Sequence, residues 1–556
     1  MTTKCRSAFL CCLAPVRPMW KITVDNIFPS EPQDGIVPNK MDHLRYYAAT
    51  HPEKFDRIGD YLHQRIARHV YRGRKQLAFV GMQAMDQLLM VCQKENLDLF
   101  IESFLGAIQY LLESADPDYQ VKASLSFEQF SKITEDAPSY QKPYDFFISK
   151  FSQMSHSLDV SLRISGLQGL MSVLRKTVNE ELAQNIWEPQ HMGKIVPSLL
   201  INLEERPDHV KGFKNEEGND SIENNMDRII SPGRHADQIL RELVRSASDS
   251  HLKIIFSQVL AHIDSHQLWD GEKQERTFYI FQAMAYSMQV DSSHILIQSI
   301  LFHIKNEDSI SRKCNIAEAL NKIIGIGVDN STVGVAVLEI TNTLLQNLCS
   351  KLTKSLSIDQ LAFPESANQE FNKGRLMLEY QNLLLSSIGQ YTEKMPAFQK
   401  EETMLFVLSK TPTASTSQSL KLYDAQYSPD PDQHILMKAF FVVAEKCHGK
   451  LFSSSFNFKI LSSLLDLMHA KDHDVRLIAL QSIQVLADNS HNAEKLLGLT
   501  MTPSNIGLTG GTLKSFHQLF SKKYLTITFN SFASVLSQSF NTNEFIEQIY
   551  TSIVII

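Results

Sequence analysis

The amino-acid sequence predicts an all-α chain, an armadillo- or HEAT-like helical repeat solenoid wound as a superhelical rod. Three observations predict it. From Met41 onward the chain is a succession of amphipathic stretches, such as LAFVGMQAMDQLLMVCQ and FIESFLGAIQYLLES, in which strand-type alternation is rare. Several stretches share a signature, an Asp followed four residues later by a basic residue that opens an apolar helix. It reads Asp159 and Arg163 in DVSLRISGLQGLMSVL, with Gly166 and Gly169 beyond, and Asp472 and Arg476 in DHDVRLIALQSIQVLA; looser copies stand at Asp118 with Lys122 and Asp308 with Arg312. Lys122 to Arg163 is 41 residues, and Arg312 to Arg476 is 164, four times 41. That period belongs to helix pairs that cannot bury their apolar faces alone and therefore stack. In such a stack the Asp and Arg side chains are expected to ladder along the inter-repeat turns, a structural role. At 556 residues the chain exceeds what one hydrophobic core accommodates, and 43% apolar against 21% charged residues suits a large buried interior.

Taken in order, the chain divides into a basic N-terminal anchor over 1–22, repeats over 23–203 that include a cationic helix, and a polar insertion over 204–235 expected to be disordered. Further helical repeats fill 236–556, interrupted by loops near 351–375, 409–433 and 501–514. The anchor opens MTTKCRSAFLCCLAPVRPMWK and holds three of the seven cysteines, Cys5, Cys11 and Cys12, among Lys4, Arg6, Arg17 and Lys21. A secretory signal fits poorly, because the apolar run AFLCCLA meets Pro15, Arg17 and Lys21 without a small-residue cleavage site. A zinc site would need a second pair of ligands nearby, which the stretch lacks. Cysteines flanked by basic and apolar residues are ordinary targets of reversible S-acylation, while Thr2 rules out the myristoyl signal. Incidental thiols on a frayed tail are the bland alternative. Cys92, Cys314, Cys349 and Cys447 stand singly in apolar contexts and are expected to be reduced core thiols of an intracellular protein.

Charge is unevenly spread. Residues 1–75 hold thirteen Lys and Arg against seven Asp and Glu, whereas the other 481 hold forty-one against fifty-four. The basic head contains PEKFDRIGDYLHQRIARHVYRGRK, residues 52–75, where Phe55, Ile58, Leu62, Ile66 and Val70 recur at helical spacing as a buried stripe. At 100° per residue, Lys54, Arg57, Arg65, Arg68 and Arg72 fall within an arc of about 80°, centred about 120° from that stripe, and Arg74 and Lys75 continue it beyond Gly73. A solvated charged face is the common meaning of such a run. Beside acylatable cysteines it supplies the second of the two signals that stable membrane attachment needs, each basic residue adding about 1 kcal/mol near an anionic leaflet. No apolar stretch approaches the roughly 18 to 20 residues that cross a bilayer. Nucleic acid is a poor partner, since no helix-turn-helix, zinc-finger or RNA-recognition signature occurs and the body is acidic.

The chain ends NEFIEQIYTSIVII, within an apolar run, where a repeat stack ordinarily closes with a polar cap. A short form of a longer protein is therefore expected. Enzyme signatures are missing: the sequence has no G-x-S-x-G elbow, no G-x-x-x-x-G-K-[ST] loop and no kinase glycine-rich loop. His262 and His266 have i, i+4 spacing but lack the Glu of HExxH, so no metal or other cofactor is expected.

The strings VDNIFPSEPQDG (24–35), PEKFDRIGDYL (52–62), MDQLLMVC (85–92), EDAPSYQKPYDFFISKF (135–151) and RKTVNEELAQNIWEPQHMGKIVPSLL (175–200) resemble the rolling blackout family, also called the Eighty-Five-Requiring-Three family. Its members are plasma-membrane anchors of phosphatidylinositol 4-kinase type III alpha. The resemblance implies a helical repeat rod and palmitoylation at the positions of Cys5, Cys11 and Cys12, here split by RSAFL rather than contiguous. It also implies a basic surface on acidic phospholipids, and recruitment of the kinase through a tetratricopeptide-repeat scaffold and a hyccin-like subunit. The expected role is a non-enzymatic scaffold at the cytoplasmic face of the plasma membrane, with a cytosolic pool, supporting phosphatidylinositol 4-phosphate synthesis and phosphoinositide signalling. A membrane-associated lipase and a soluble armadillo-type adaptor are the alternatives.

Overall fold

The structure, a computed structural model of the chain, describes residues 17–29, 35–91, 97–133, 141–178, 186–204, 231–289, 292–327, 335–349, 367–412, 431–447, 458–487, 522–537 and 542–555. These residues hold twenty-two α-helices and no strand, the helical repeat solenoid that the periodicity predicts. They form two units, Met1–His262 and Ile263–Ile556.

In the first unit, α1 (Met19–Asp25) and α2 (Pro38–Thr50) precede α3 (Phe55–Tyr71), α4 (Lys75–Val91), α5 (Leu97–Glu113) and α6 (Pro117–Ser131). Then come α7 (Gln141–Ser155), α8 (Val160–Val178), α9 (Pro189–Glu204) and α10 (Pro232–Ser246), and α11 (Asp249–Ser265) carries the chain past the unit boundary. Helices pack on neighbours one or two places along the chain: α3 on α4 and α5, α6 on α8, α7 on α8 and α9, α9 on α10. The second unit repeats this logic with α12 (Gln274–Ala285), α13 (Ser293–Asn306), α14 (Ile310–Gly327), α15 (Val335–Leu348), α16 (Ala367–Glu393) and α17 (Ala397–Lys410). It continues through α18 (Pro431–Glu445), α19 (Phe458–Leu467), α20 (His473–Ala487), α21 (Lys522–Leu536) and α22 (Asn543–Ile555), with α14 on α16, α16 on α18, α18 on α20 and α20 on α22.

The repeat signature has a local cause. Asp159 Oδ1 accepts the Ser161 backbone N–H at 2.9 Å and Asp472 Oδ1 accepts that of Asp474 at 2.9 Å, so each Asp occupies one of the orphan donors at a helix start. In the looser copy, Asp116 performs this duty on Asp118 at 3.0 Å, ahead of Pro117 at the first helical position. The basic residues of the signature form bonds beyond the Asp four residues before them, some to an Asp of another repeat. Each reaches elsewhere: Lys122 Nζ to Asp86 Oδ2 at 2.9 Å, Arg163 to Asn202 Oδ1 at 2.8 and 3.1 Å, Arg312 to Glu307 at 3.3 Å and Asp264 at 3.4 Å, Arg476 to the Ala470 and Lys471 carbonyls. A capping carboxylate can still take a cation from another helix, as Asp116 does with Lys75 at 2.7 Å.

The period is legible in these bonds. Lys122 and Asp86 are 36 residues apart, Arg163 and Asn202 39, Gln298 and Glu339 41, Ser103 and Asp60 43, and Asn315 and Asp270 45. In the second unit equivalent bonds join Asn321 to Ser386 and Gln484 to Gln548, 65 and 64 residues apart, because extra chain is interposed. The core is mostly aliphatic, and in the first unit it includes aromatic contacts, with Phe55 stacked on Phe100 at 4.3 Å between centroids and Phe127 tilted against Phe147 and Phe151 at 4.8 and 5.3 Å. Each such side chain, once buried, is worth about 1.5 to 3 kcal/mol.

Helical structure begins before the predicted Met41, and α1 crosses the expected 22/23 boundary. Residues 205–230, most of the predicted insertion, lie outside the described residues, but α10 already starts at Pro232. Residues 351–366, 413–430 and 501–514 also lie outside, while α16, α17 and α18 take the edges of the first two predicted loops.

Candidate functional site

The cationic helix of the sequence is α3. Phe55, Ile58, Leu62 and Ile66 form its buried stripe, but Val70 is half-buried and His69 is buried in its place. Helical geometry explains the exchange: at 100° per residue His69 falls about 25° from the stripe's centre and Val70 about 75° away. Gly59 joins the buried face because Phe100 of α5 lies where a Cβ would go, at 2.9 Å.

The predicted basic residues divide into three groups. Arg57, Arg68, Arg72 and Arg74 are exposed and make no ion pair among the described residues. Arg65 is different, and corrects the expectation of a continuous cationic arc. It lies only about 65° from the stripe's centre, on the flank that α1 covers. Its Nη1 stands 3.8 Å from Asp25 Oδ1 and its guanidinium 4.6 Å from the Phe28 ring. Asp25 also accepts the Tyr61 hydroxyl at 2.8 Å and faces Arg17 at 3.9 Å, while Lys21 Nζ lies 4.7 Å over the Tyr61 ring and Trp20 meets that ring edge-on. Burial, helped by the bond to Asp25, pushes the Tyr61 phenol up. Arg65 and Lys21 thus fasten α1 to α3. Lys75 is also committed: its ammonium sits 2.7 Å from Asp116 and 2.5 Å from Asp118, and the bonds to these two carboxylates, Asp116 first, hold it above the usual lysine range. Lys54 is half-buried, and Lys4, Arg6, Cys5, Cys11 and Cys12 lie outside the described residues.

The end of α3 fixes where the free arginines stand. Gly73 has φ +66°, Arg74 N–H donates to the His69 carbonyl at 2.9 Å and Gly73 N–H to that of Val70 at 3.0 Å. This left-handed turn closes the helix and folds Arg74 back beside Arg68 and Arg72. Beneath them lies His69, 5% exposed, with neither ring nitrogen hydrogen-bonded and its ring 5.4 Å from Phe28. Burial, then Arg65, Arg74, Arg72 and Arg68, hold it down to about 4, so it is neutral and all the positive charge here is guanidinium. Sequence reasoning missed His69, α1, Asp25 and the exposed Tyr71. The short amphipathic MWKITVD was the one local signal available for α1.

His262 Nε2 stands 2.6 Å from Glu204 Oε1 within the first unit. Cys314 and Cys447 are buried, as expected for core thiols, and burial pushes both up to about 11. Cys349 is half-buried and Cys92 lies outside the described residues. No described helix is long and apolar enough to cross a membrane.

A family model described as EFR3, armadillo repeat, matches residues 41–556. Protein EFR3 homolog A of Homo sapiens is 35% identical over 508 residues, 89% of this chain and 60% of that protein. Protein EFR3 homolog cmp44E of Drosophila melanogaster is 35% identical over 512 residues, 90% of this chain and 58% of that protein. The chain thus spans about three fifths of the length of these curated relatives. A solved structure, the crystal structure of Efr3, superposes with a TM-score of 0.57 at 15% identity, covering 96% of this chain and 89% of that one, a likeness of fold.

Proposed function

The chain belongs to the EFR3 armadillo-repeat family, and we propose that it is a peripheral anchor and scaffold on the cytoplasmic face of the plasma membrane. The observation that carries the reading is the set of four exposed arginines, Arg57, Arg68, Arg72 and Arg74, that no acidic side chain among the described residues neutralises. A stable fold tends to pair or disperse its charges. Arg68, Arg72 and Arg74 around a neutral, buried His69, with Arg57 farther back on the same helix, raise a local positive potential that an anionic leaflet satisfies. Lys4, Arg6 and Arg17 precede these arginines in the chain and add to the basic balance of this end. Acyl chains on Cys5, Cys11 and Cys12 provide the hydrophobic half of a two-signal attachment. Anchored so, the helical stack presents its remaining surface to a phosphatidylinositol 4-kinase complex, through a tetratricopeptide-repeat scaffold and a hyccin-like subunit, and supports phosphatidylinositol 4-phosphate synthesis. The relatives are named for the EFR3 family and not for an enzyme class, and in this reading the phosphoryl transfer belongs to the recruited kinase.

The test is the location of a fluorescently tagged chain in cells, beside a variant with Cys5, Cys11 and Cys12 changed to Ser. The expected result is a plasma-membrane rim for the wild type and a cytosolic signal for the variant. A wild type that is cytosolic throughout would overturn the reading.

A further inference from the structure

We propose that Tyr71, Ile22 and Met19 form an apolar rim to the arginine cluster and enter the headgroup region of an anionic bilayer, so that docking is part electrostatic and part insertion. The inference rests on the membrane-anchor reading and adds to it the side chains that penetrate. Tyr71 is 87% exposed, Met19 63% and Ile22 39%. Single exposed apolar residues are normal on any surface. Tyr71 and Ile22 flank a set of unpaired cations, with Met19 one turn before Ile22, and the placement of the first two follows from how two helices lie together.

Helix α1 advances along α3 in the same direction: Trp20 and Lys21 meet Tyr61, Asp25 meets Tyr61 and Arg65, and Phe28 meets Arg65 and His69. Both helices rest on one core, α1 through Thr23, Val24 and Ile27, α3 through Ile58, Leu62 and Ile66. On α1, Ile22 points about 145° away from the buried face, and on α3, Tyr71 points about 175° away from its own. Arg57 and Arg68 point about 145° and 125° from the α3 stripe, on the side of α3 where α1 lies. Side chains opposite the shared core therefore emerge on one surface, with guanidinium groups between an aromatic and an aliphatic edge. Tyrosine, with an apolar ring and a polar tip, suits the membrane–water boundary, and arginine beside it suits lipid phosphate. An anionic bilayer satisfies both chemistries at once, because its phosphates meet the cations while its acyl boundary receives the rim.

The test uses the full chain, prepared without acylation, and phosphatidylcholine vesicles with and without phosphatidylserine, at low and at high salt. Partial burial of one such side chain predicts that Tyr71→Ala, and separately the pair Met19→Ser with Ile22→Ser, weaken binding about fivefold at both salt concentrations. Their salt dependence stays that of the wild type. In contrast, Arg68→Gln with Arg72→Gln flattens the salt dependence. A Tyr71→Trp chain reports the position directly: lipids brominated on the acyl chain quench its added fluorescence beyond that of Trp20, Trp187 and Trp269. Unchanged binding by the apolar variants, or an unquenched Trp at position 71 on bound protein, overturns insertion and leaves electrostatic docking standing. A wild type that ignores phosphatidylserine vesicles overturns both readings together.

Discussion

Arg476 at the start of α20 and Arg68 near the end of α3 are the same residue type at helix edges of one repeat architecture, yet they serve opposite ends. Arg476 is 3% exposed, donates to the Ala470 and Lys471 carbonyls at 3.1 Å each, and lies over Phe545 at 5.6 Å. Arg68 is exposed and has no ion-pair partner among the described residues. Two turn carbonyls hold one end of this buried guanidinium and an aromatic ring lies against it, so Arg476 is committed to the fold. Arg68, without an ion pair among the described residues, is available to something outside the fold. The difference teaches how to sort the basic residues of a helical stack: by what their donors already hold, not by charge or helical position.

The largest expected effect probes the committed side. At Gly166 of α8, an added Cβ would meet Ser155 N at 2.7 Å and the Phe151 carbonyl at 2.8 Å, both backbone atoms of α7. Backbone yields less than a side chain, so Gly166→Ala is expected to destabilise the first unit by about 3 kcal/mol. Thermal denaturation followed by circular dichroism checks this. An unchanged first transition would mean that α7 and α8 are not held in this close approach. Next comes Arg476→Ala, which strips two turn carbonyls of their donor and uncovers the Phe545 ring, for an expected loss of about 2 kcal/mol in the second unit. A loss below about 0.5 kcal/mol would place Arg476 with the dispensable surface cations.

The available side should respond in the opposite manner. Arg72→Gln is expected to leave melting unchanged while weakening binding to phosphatidylserine vesicles by about 1 kcal/mol, roughly fivefold. Lys75→Gln, only a few residues on, should leave that binding where it was, because Asp116 and Asp118 already hold the ammonium. Equal losses from both substitutions, measured by vesicle flotation, would erase the distinction between committed and available cations.

Much of this was legible in the sequence. Helical periodicity, the period near 41 and the amphipathic face of α3 follow from local spacing, which is what repeat proteins expose to inspection. The fates of Arg65 and Lys75 were not, since each is decided by partners some forty residues away: Asp25 and Phe28 upstream, Asp116 and Asp118 downstream. Helical angle placed Arg65 at the edge of the arc but could not say that α1 would cover that edge. The repeat Asp residues carry a duty that spacing does not show. Spacing suggested an Asp–Arg ladder, and the structure adds that Asp159 and Asp472 cap their own helix starts.

The smallest effect at neutral pH, and the one that ties the two sides together, belongs to His69. Its folded-state value of about 4 lies below the ordinary 6.5, because burial and then Arg65, Arg74, Arg72 and Arg68 oppose its charging. Between those values the unfolded chain binds the proton and the folded chain does not, so stability falls as pH drops from 6.5 toward 4 and is untouched above that window. His69→Phe removes the titration and the two unpaired ring nitrogens while keeping a ring against Phe28. The variant should therefore match or slightly exceed the wild type at pH 7.5, and its advantage should widen as pH falls to 4.5. Parallel melting curves at the two pH values would refute a neutral His69. A widening gap would show that the arginine cluster is tolerated because the group beneath it carries no charge, so that an uncompensated cationic surface begins in the core.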